Sequence, residues 1–318
     1  MNEDRPDEII DAQVILTDEA TGPVIAAKAP HSGARKCAHG RSFARSAGGF
    51  EAPDEAAVLS CGMANSASGV TVITGAASGF GREFARRLAA QGATLALWDV
   101  DRAGLAETAS LVQATRNQTF IVDVRDAAAV AATAEATRST LGPVAHVINS
   151  AGILRVGSAE QSGAEAARLM MDVNYMGSVN VALALLPQLQ AAKGKSSLLF
   201  IASVAGLRGF PELAGYCASK FAVVGYSQAL REELYGSGVQ VQVLCPPAGD
   251  TPMFRNIENK PAILKMSTVC TAEEIVDAAL KGMARDEWLI LVDAKSKVVR
   301  RVDGLLPGLV DRIVRIAK

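Results

Sequence analysis

Residues 70–81 read VTVITGAASGFG, and few stretches restrict a fold more tightly. VTVIT is a short β-branched run with the length and composition of a buried strand. Glycines follow at 75, 79 and 81, and FGREFARRLAAQG then carries Phe80, Phe84 and Leu88 at helical spacing before Gly92 ends it. The glycines let backbone come close to a pyrophosphate, and a helix N-terminus just behind them offers free N–H groups and the positive end of its dipole. A plain tight turn is the rival reading of a glycine triplet. The strand before it and the helix after it favour phosphate binding.

The next strand, ATLALW (93–98), ends at Asp99. A carboxylate at the end of the second strand is placed to accept hydrogen bonds from adenosine ribose hydroxyls, and it repels a 2′-phosphate. Neither Ser78 nor Val100 supplies a basic group to hold that phosphate. The expectation is therefore NAD rather than NADP, with a solvated aspartate as the plain alternative.

The alternation then repeats. Helix 102–115, strand 118–122 with Asp123 just beyond it, and an alanine-rich helix 126–141 lead to strand 145–149, which runs into the small-residue turn NSAG (149–152). Helices are expected at 160–172 and 174–191, with Asn174 at their junction. Strand 197–202 ends at Ser203, a helix runs from Tyr216 to about Tyr235, and strand 239–245 follows. A helix over 272–284 and a last strand, WLILV (288–292), complete the series. Strands alternating with helices imply an α/β fold: a single-domain, doubly wound parallel sheet of Rossmann type. In such sheets ligands bind at the carboxyl ends of the strands, where Ser203 stands.

Tyr216 and Lys220 are four residues apart, one turn on one helix face. A cation beside a phenol favours the phenolate, so the pair is expected to lower the tyrosine pKa and let it exchange a proton with an alcohol or ketone. An ordinary amphipathic helix carries such a pair just as well. The strand, turn and serine elsewhere in the chain tip the reading toward chemistry.

Composition removes other classes. Nearly half of the 318 residues are hydrophobic and the net charge is −1, which suits neither a nucleic-acid binder nor a disordered chain. Five scattered cysteines without a CxxC pair point to a reducing cytoplasm rather than a disulfide framework, and three dispersed histidines suggest no metal site. No apolar run reaches the ~18 residues of a membrane span. The N-terminus, acidic over 1–11, does not read as a signal peptide.

Three regions are expected. Residues 1–68 lack a sustained period and read as a low-order extension. Residues 69–294 form the catalytic domain, including a mobile substrate cover at 252–270 whose Met253, Phe254, Ile257, Ile263, Leu264 and Met266 suit a lipophilic substrate or simple core packing. Residues 295–318 form a basic amphipathic tail, interrupted at Gly304, Pro307 and Gly308 and so expected as two short helices. Such a tail lies on an anionic membrane surface, joins subunits, or closes over a pocket.

TGAASGFG, Asp99, Asp123-Val124, NSAG, Asn174 and the Ser203, Tyr216, Lys220 set together resemble the short-chain dehydrogenase/reductase family, in its order and at its spacings over residues 69–294. The resemblance implies that Tyr216 is the general acid/base and also touches the cofactor, that Lys220 lowers its pKa and binds the nicotinamide ribose, that Ser203 holds the substrate oxygen, and that Asn174 positions a water in the proton relay. It implies that Gly75, Ser78, Phe80 and Gly81 border the cofactor phosphates, that Asp99 binds the adenosine ribose, that Asp123 and Val124 lie by the adenine, that Asn149, Ala151 and Gly152 line the middle of the cofactor, and that Thr251 sits near the carboxamide. Ser150 replaces a usual asparagine. In CPPAGDTPM (245–253), Pro247 stands where many members have glycine, a form similar to the loop of 3-ketodihydrosphingosine reductases.

The expected activity is interconversion of a secondary alcohol and a ketone with NAD(H), by a homo-oligomer acting on a small, lipophilic substrate. Two rivals stand beside it: an NADPH-dependent reductase of a long-chain 3-keto sphingoid base, and a catalytically silent nucleotide-binding regulator on the same fold.

Overall fold

The computed structural model describes residues 69–305 and Gly308. The expectations for 1–68 and for the far end of the tail lie outside the described residues. From Val70 the chain alternates: β1 (Val70–Thr74), α1 (Gly79–Ala89), β2 (Thr94–Asp99), α2 (Arg102–Leu111), β3 (Asn117–Ile121), α3 (Ala127–Leu141) and β4 (Val144–Asn149). Then come α4 (Ala159–Met170), a π-helical turn (Met171–Met176), α5 (Gly177–Ala191), β5 (Ser196–Ile201), α6 (Ala214–Glu233) and β6 (Val239–Leu244). The last third holds β7 (Ala248–Gly249), α7 (Pro252–Arg255), α8 (Ala262–Lys265), β8 (Val269–Cys270), α9 (Ala272–Ala284), β9 (Leu289–Ile290) and α10 (Ala294–Leu305).

Seven strands make one sheet in the order β3-β2-β1-β4-β5-β6-β9, and every pairing in it is parallel. A parallel sheet covered on both faces needs strands apolar on both sides, which is why β1, β4 and β5 are mostly apolar and are buried at every residue. Alternate residues feed two cores. Val72, Trp98, Val147, Leu198 and Phe200 face the layer that holds Val130, Val181, Leu185 and Val223. Ile73, Leu97, Ile148 and Leu199 face Phe84, Leu88, Leu105, Ile275 and Val276.

Local chemistry starts the helices. Asp101 and Asp126 accept from backbone N–H groups at the heads of α2 and α3, and Ser158/Gln161 and Thr271/Glu274 form capping boxes on α4 and α9. Where two helices meeting at Asn174 are expected, the chain runs through without a break. The π turn absorbs the junction by widening the helix instead of ending it. The stretch Ala159–Ala191, kinked at Gly163 where φ is +67°, is long and apolar enough to cross a bilayer by length and composition alone. Its Val181, Leu185 and Leu189 are nonetheless buried in the core against the sheet. Helix α2 stops at Leu111, short of the expected residue 115, and the tail helix α10 runs unbroken through Gly304.

The strand order reverses between β1 and β4, so the loops after these two strands diverge and leave a crevice at the carboxyl edge. The glycine turn and the NSAG turn face each other across it.

Candidate active site

The glycine turn is built to be narrow. Gly75 has φ +66°, and a Cβ there would sit 2.9 Å from the backbone nitrogen of Ala151 on the opposite turn. A Cβ on Gly81 would overlap the Gly75 carbonyl. Ser78, at the N-cap of α1, makes no side-chain cap, so the first N–H groups of that helix keep no side-chain partner from it. Asp99 fastens the turn from β2: Oδ2 accepts from Ala77 N at 2.9 Å and Oδ1 from Asp101 N at 3.0 Å. This cradle of close glycines, an uncapped helix start and a strand-end carboxylate fits the pyrophosphate and adenosine ribose of a dinucleotide.

Across the crevice, the Thr74 hydroxyl accepts from Ser150 N and Ala151 N, both at 3.0 Å, and donates to Asn149 Oδ1 at 3.2 Å. Asn149 Nδ2 in turn donates to Ser178 O at 3.1 Å. Asn149, Ala151 and Gly152 therefore form a turn held from both sides. Asp123 is gripped by Arg125, whose guanidinium holds its carboxyl below the usual range. Val124 is buried, and its carbonyl accepts from Asn180 Nδ2 at 2.9 Å. Thr251 is buried too, with its methyl group 3.5 Å from the Cβ position of Gly79.

The chemistry-bearing residues converge. Ser203 follows β5, Tyr216 and Lys220 lie on one face of α6, and Ser203 stands close enough to Tyr216 to favour its ionised form. Gly152 sits between Asn174 and Lys220: a Cβ on it would come 3.1 Å from Asn174 Oδ1 and 3.4 Å from Lys220 Nζ. Asn174 is turned toward the backbone. It accepts from Ile153 N at 2.7 Å and donates to Ile153 O at 3.0 Å and to Ser219 Oγ at 2.9 Å. Ser203, Tyr216, Lys220 and Gly152 border one cavity of about 1270 Å³, which also touches Phe80 of the glycine turn. Its far walls are Met253, Phe254, Ile263, Leu264 and Met266 of the 252–268 segment, together with α10.

One expectation is corrected here. The Tyr216 pKa is not lowered but pushed up to about 12, because burial outweighs the opposing influence of Ser203. Lys220 does not act as a nearby free cation. Its Nζ lies 5.7 Å from the centre of the tyrosine ring and donates to Ile201 O at 2.9 Å, and burial lowers its own pKa to about 8.

Residues that the sequence reading passed over brace the site. Arg82 of α1 reaches the carbonyls of Ala77 and Gly104 (3.2 Å for the latter), Thr108 Oγ1 at 3.0 Å and Glu107 at 2.8 Å. Thr108 itself donates to Ala76 O at 2.8 Å, so the glycine turn is held from beneath. Thr74, Asn180 and Ser219 act in the same way on the other turns. A polar residue at the last position of a buried strand was the available signal for Thr74. Nothing comparable marks Arg82 on an amphipathic helix.

Comparison with known proteins agrees with this geometry. Residues 69–262 match the short chain dehydrogenase family model. SadH of Mycobacterium tuberculosis is 34% identical over 262 residues, covering 77% of this chain and 93% of SadH. The 3-dehydrosphinganine reductase TSC10B of Arabidopsis thaliana is 34% identical over 60% of this chain and 58% of its own length. A short chain dehydrogenase/reductase from Burkholderia phymatum in complex with NAD superposes with a TM-score of 0.70 at 28% identity, covering 76% of this chain and 95% of that one. One from Sphingobium yanoikuyae in complex with NADPH gives 0.66 at 28% identity over 76% and 95%. The chain belongs to the short-chain dehydrogenase/reductase family, oxidoreductases that act on CH–OH groups with NAD or NADP.

Proposed function

We propose that this protein interconverts a secondary alcohol and a ketone by hydride transfer with NAD(H), on a lipophilic substrate. The observation that carries the reading is that Ser203, Tyr216 and Lys220 border the same largely apolar cavity as Phe80 of the glycine turn. When bound, the nicotinamide supplies or accepts the hydride. Ser203 holds the substrate oxygen against Tyr216, and Tyr216 passes the proton. A phenol kept protonated by burial is a proton donor at neutral pH, the form that ketone reduction needs. Lys220, one turn along α6, orients the nicotinamide ribose, and Asn174 anchors the Ile153 backbone beside the reacting groups and serves the proton relay. Gly75, Ser78, Phe80 and Gly81 hold the phosphates, Asp123 and Val124 flank the adenine, and Thr251 meets the carboxamide. Asp99 supports NAD over NADP, since its carboxylate at the ribose end of the cradle repels a 2′-phosphate.

A second reading is an NADPH-dependent reductase of a long-chain 3-keto sphingoid base. Likeness to the Arabidopsis reductase and the CPPAGDTPM loop favour it; Asp99 weighs against it.

A panel of ketones and alcohols of graded chain length, run with both cofactors, separates the two. Higher kcat/KM with NADPH and a 3-keto sphingoid base would displace the first reading. Tyr216→Phe should lower kcat/KM by about 100- to 10,000-fold while cofactor affinity stays unchanged. Full activity in that variant overturns the acid/base assignment.

A further inference from the structure

Helix α10 has apolar residues but no buried one. Val298 is 57% exposed, Val299 37% and Leu305 80%, although all three, with Val302, border the site cavity. A helix ordinarily buries its apolar stripe on the core. Here the whole stretch from Lys295 to Leu305, charged residues included, borders the cavity that Phe210 and Leu264 also line.

The helix is capped locally at its start and tied to the rest of the domain near Asp303. At its start, the Asp293 carboxylate accepts from Ser296 N at 3.2 Å. Near its far end, Asp303 pairs with Arg208, whose side chain is 15% exposed against 26% for Asp303. Arg208 lies five residues past Ser203, and its backbone N–H donates to Val204 O at 3.2 Å in the turn that Ser203 begins. The ion pair thus joins the tail to the segment that carries a reacting side chain.

We infer that α10 is the wall of a subsite for the apolar tail of the substrate, held in place by the Arg208–Asp303 pair, and that this wall sets the preference for long over short ketones and alcohols. The inference rests on the alcohol–ketone reading above and extends it to the substrate class. A short ketone beside Tyr216 does not reach α10. A long chain covers the exposed valines and gains the burial that the helix lacks on its own. Releasing the far end lets the wall swing away, so the loss falls on long substrates alone.

The test uses the full chain and two environment-sensitive naphthyl ketones that differ only in carrying an acetyl or a dodecanoyl chain. Their fluorescence reports binding with no cofactor present. Asp303→Asn keeps the shape of the latch and removes its charge. It should weaken the dodecanoyl ketone about tenfold and leave the acetyl ketone within about twofold. Val302→Ser should do the same without touching the ion pair, and the exchanged pair Arg208→Asp/Asp303→Arg should recover most of the loss. Equal weakening of both ketones, no change in either, or no saturable binding of the dodecanoyl ketone to the wild type overturns the inference. Because the readout is binding, failure of every ketone and alcohol to turn over with NAD or NADP would instead strike the alcohol–ketone reading.

Discussion

His146 shows how much a single buried side chain decides. It sits in β4, facing Ser197 across the sheet with Nδ1 2.9 Å from the serine oxygen, and its Nε2 has no partner. Burial lowers its pKa from 6.5 to about 4. The folded state therefore refuses a proton that the unfolded chain accepts between these two values. Stability is complete above pH 6.5 and falls as pH drops toward 4, by up to about 1.4 kcal/mol per pH unit. We expect the thermal midpoint to fall between pH 7 and pH 5, and His146→Asn to lose much of that fall. Equal slopes in the two proteins would show that other groups carry the acid sensitivity. Tyr216 and Lys220 teach the same lesson at the site: helical spacing places the pair side by side, but the Ile201 carbonyl and the depth of burial set their protonation.

At the scale of elements, the glycine turn and α1 act as one piece. A methyl group on Gly81 would overlap the Gly75 carbonyl, so Gly81→Ala must open the turn. We expect it to weaken dinucleotide affinity at least about tenfold, by fluorescence titration, with a smaller loss of thermal stability. Wild-type affinity would mean that the turn does not hold the phosphates. The parallel strands were legible because a strand buried on both faces reads as an apolar run, and its end points to the ligand edge. The turns were legible because glycine and asparagine announce them. The π turn at Asn174 was not: widening a helix by one residue per turn leaves the apolar pattern nearly intact. Nor was the placement of α10, because an amphipathic stripe says that a helix has two sides and not what stands opposite either. Arg82 was hidden for a related reason. Its partners are carbonyls of the turn and of α2, which only the folded chain brings within reach.

Across the whole described molecule, the sheet is shared by two cores, so its central side chains stabilise everything built on it. Phe200 of β5 is fully buried, packs edge-on against Tyr226 at 5.9 Å, and lies three residues before Ser203. Phe200→Ala should cost about 3–5 kcal/mol, read from chemical denaturation, and it should lower activity through disorder at the end of β5. A loss under about 1 kcal/mol would show that this core is not close-packed. Near the site, parallel pairing of β7 with β8 stitches the chain just before residue 252 to the chain just after residue 268, and Asp250 N donates to Cys270 O at 2.8 Å. The segment between is a loop whose feet are already brought together by folding. Settling over a guest thus incurs no chain-closure entropy, leaving only the motion of its middle to be restrained. Affinity for a guest at this roof is accordingly governed by the side chains that line it, Met253 and Phe254 among them, rather than by how many residues span the two feet.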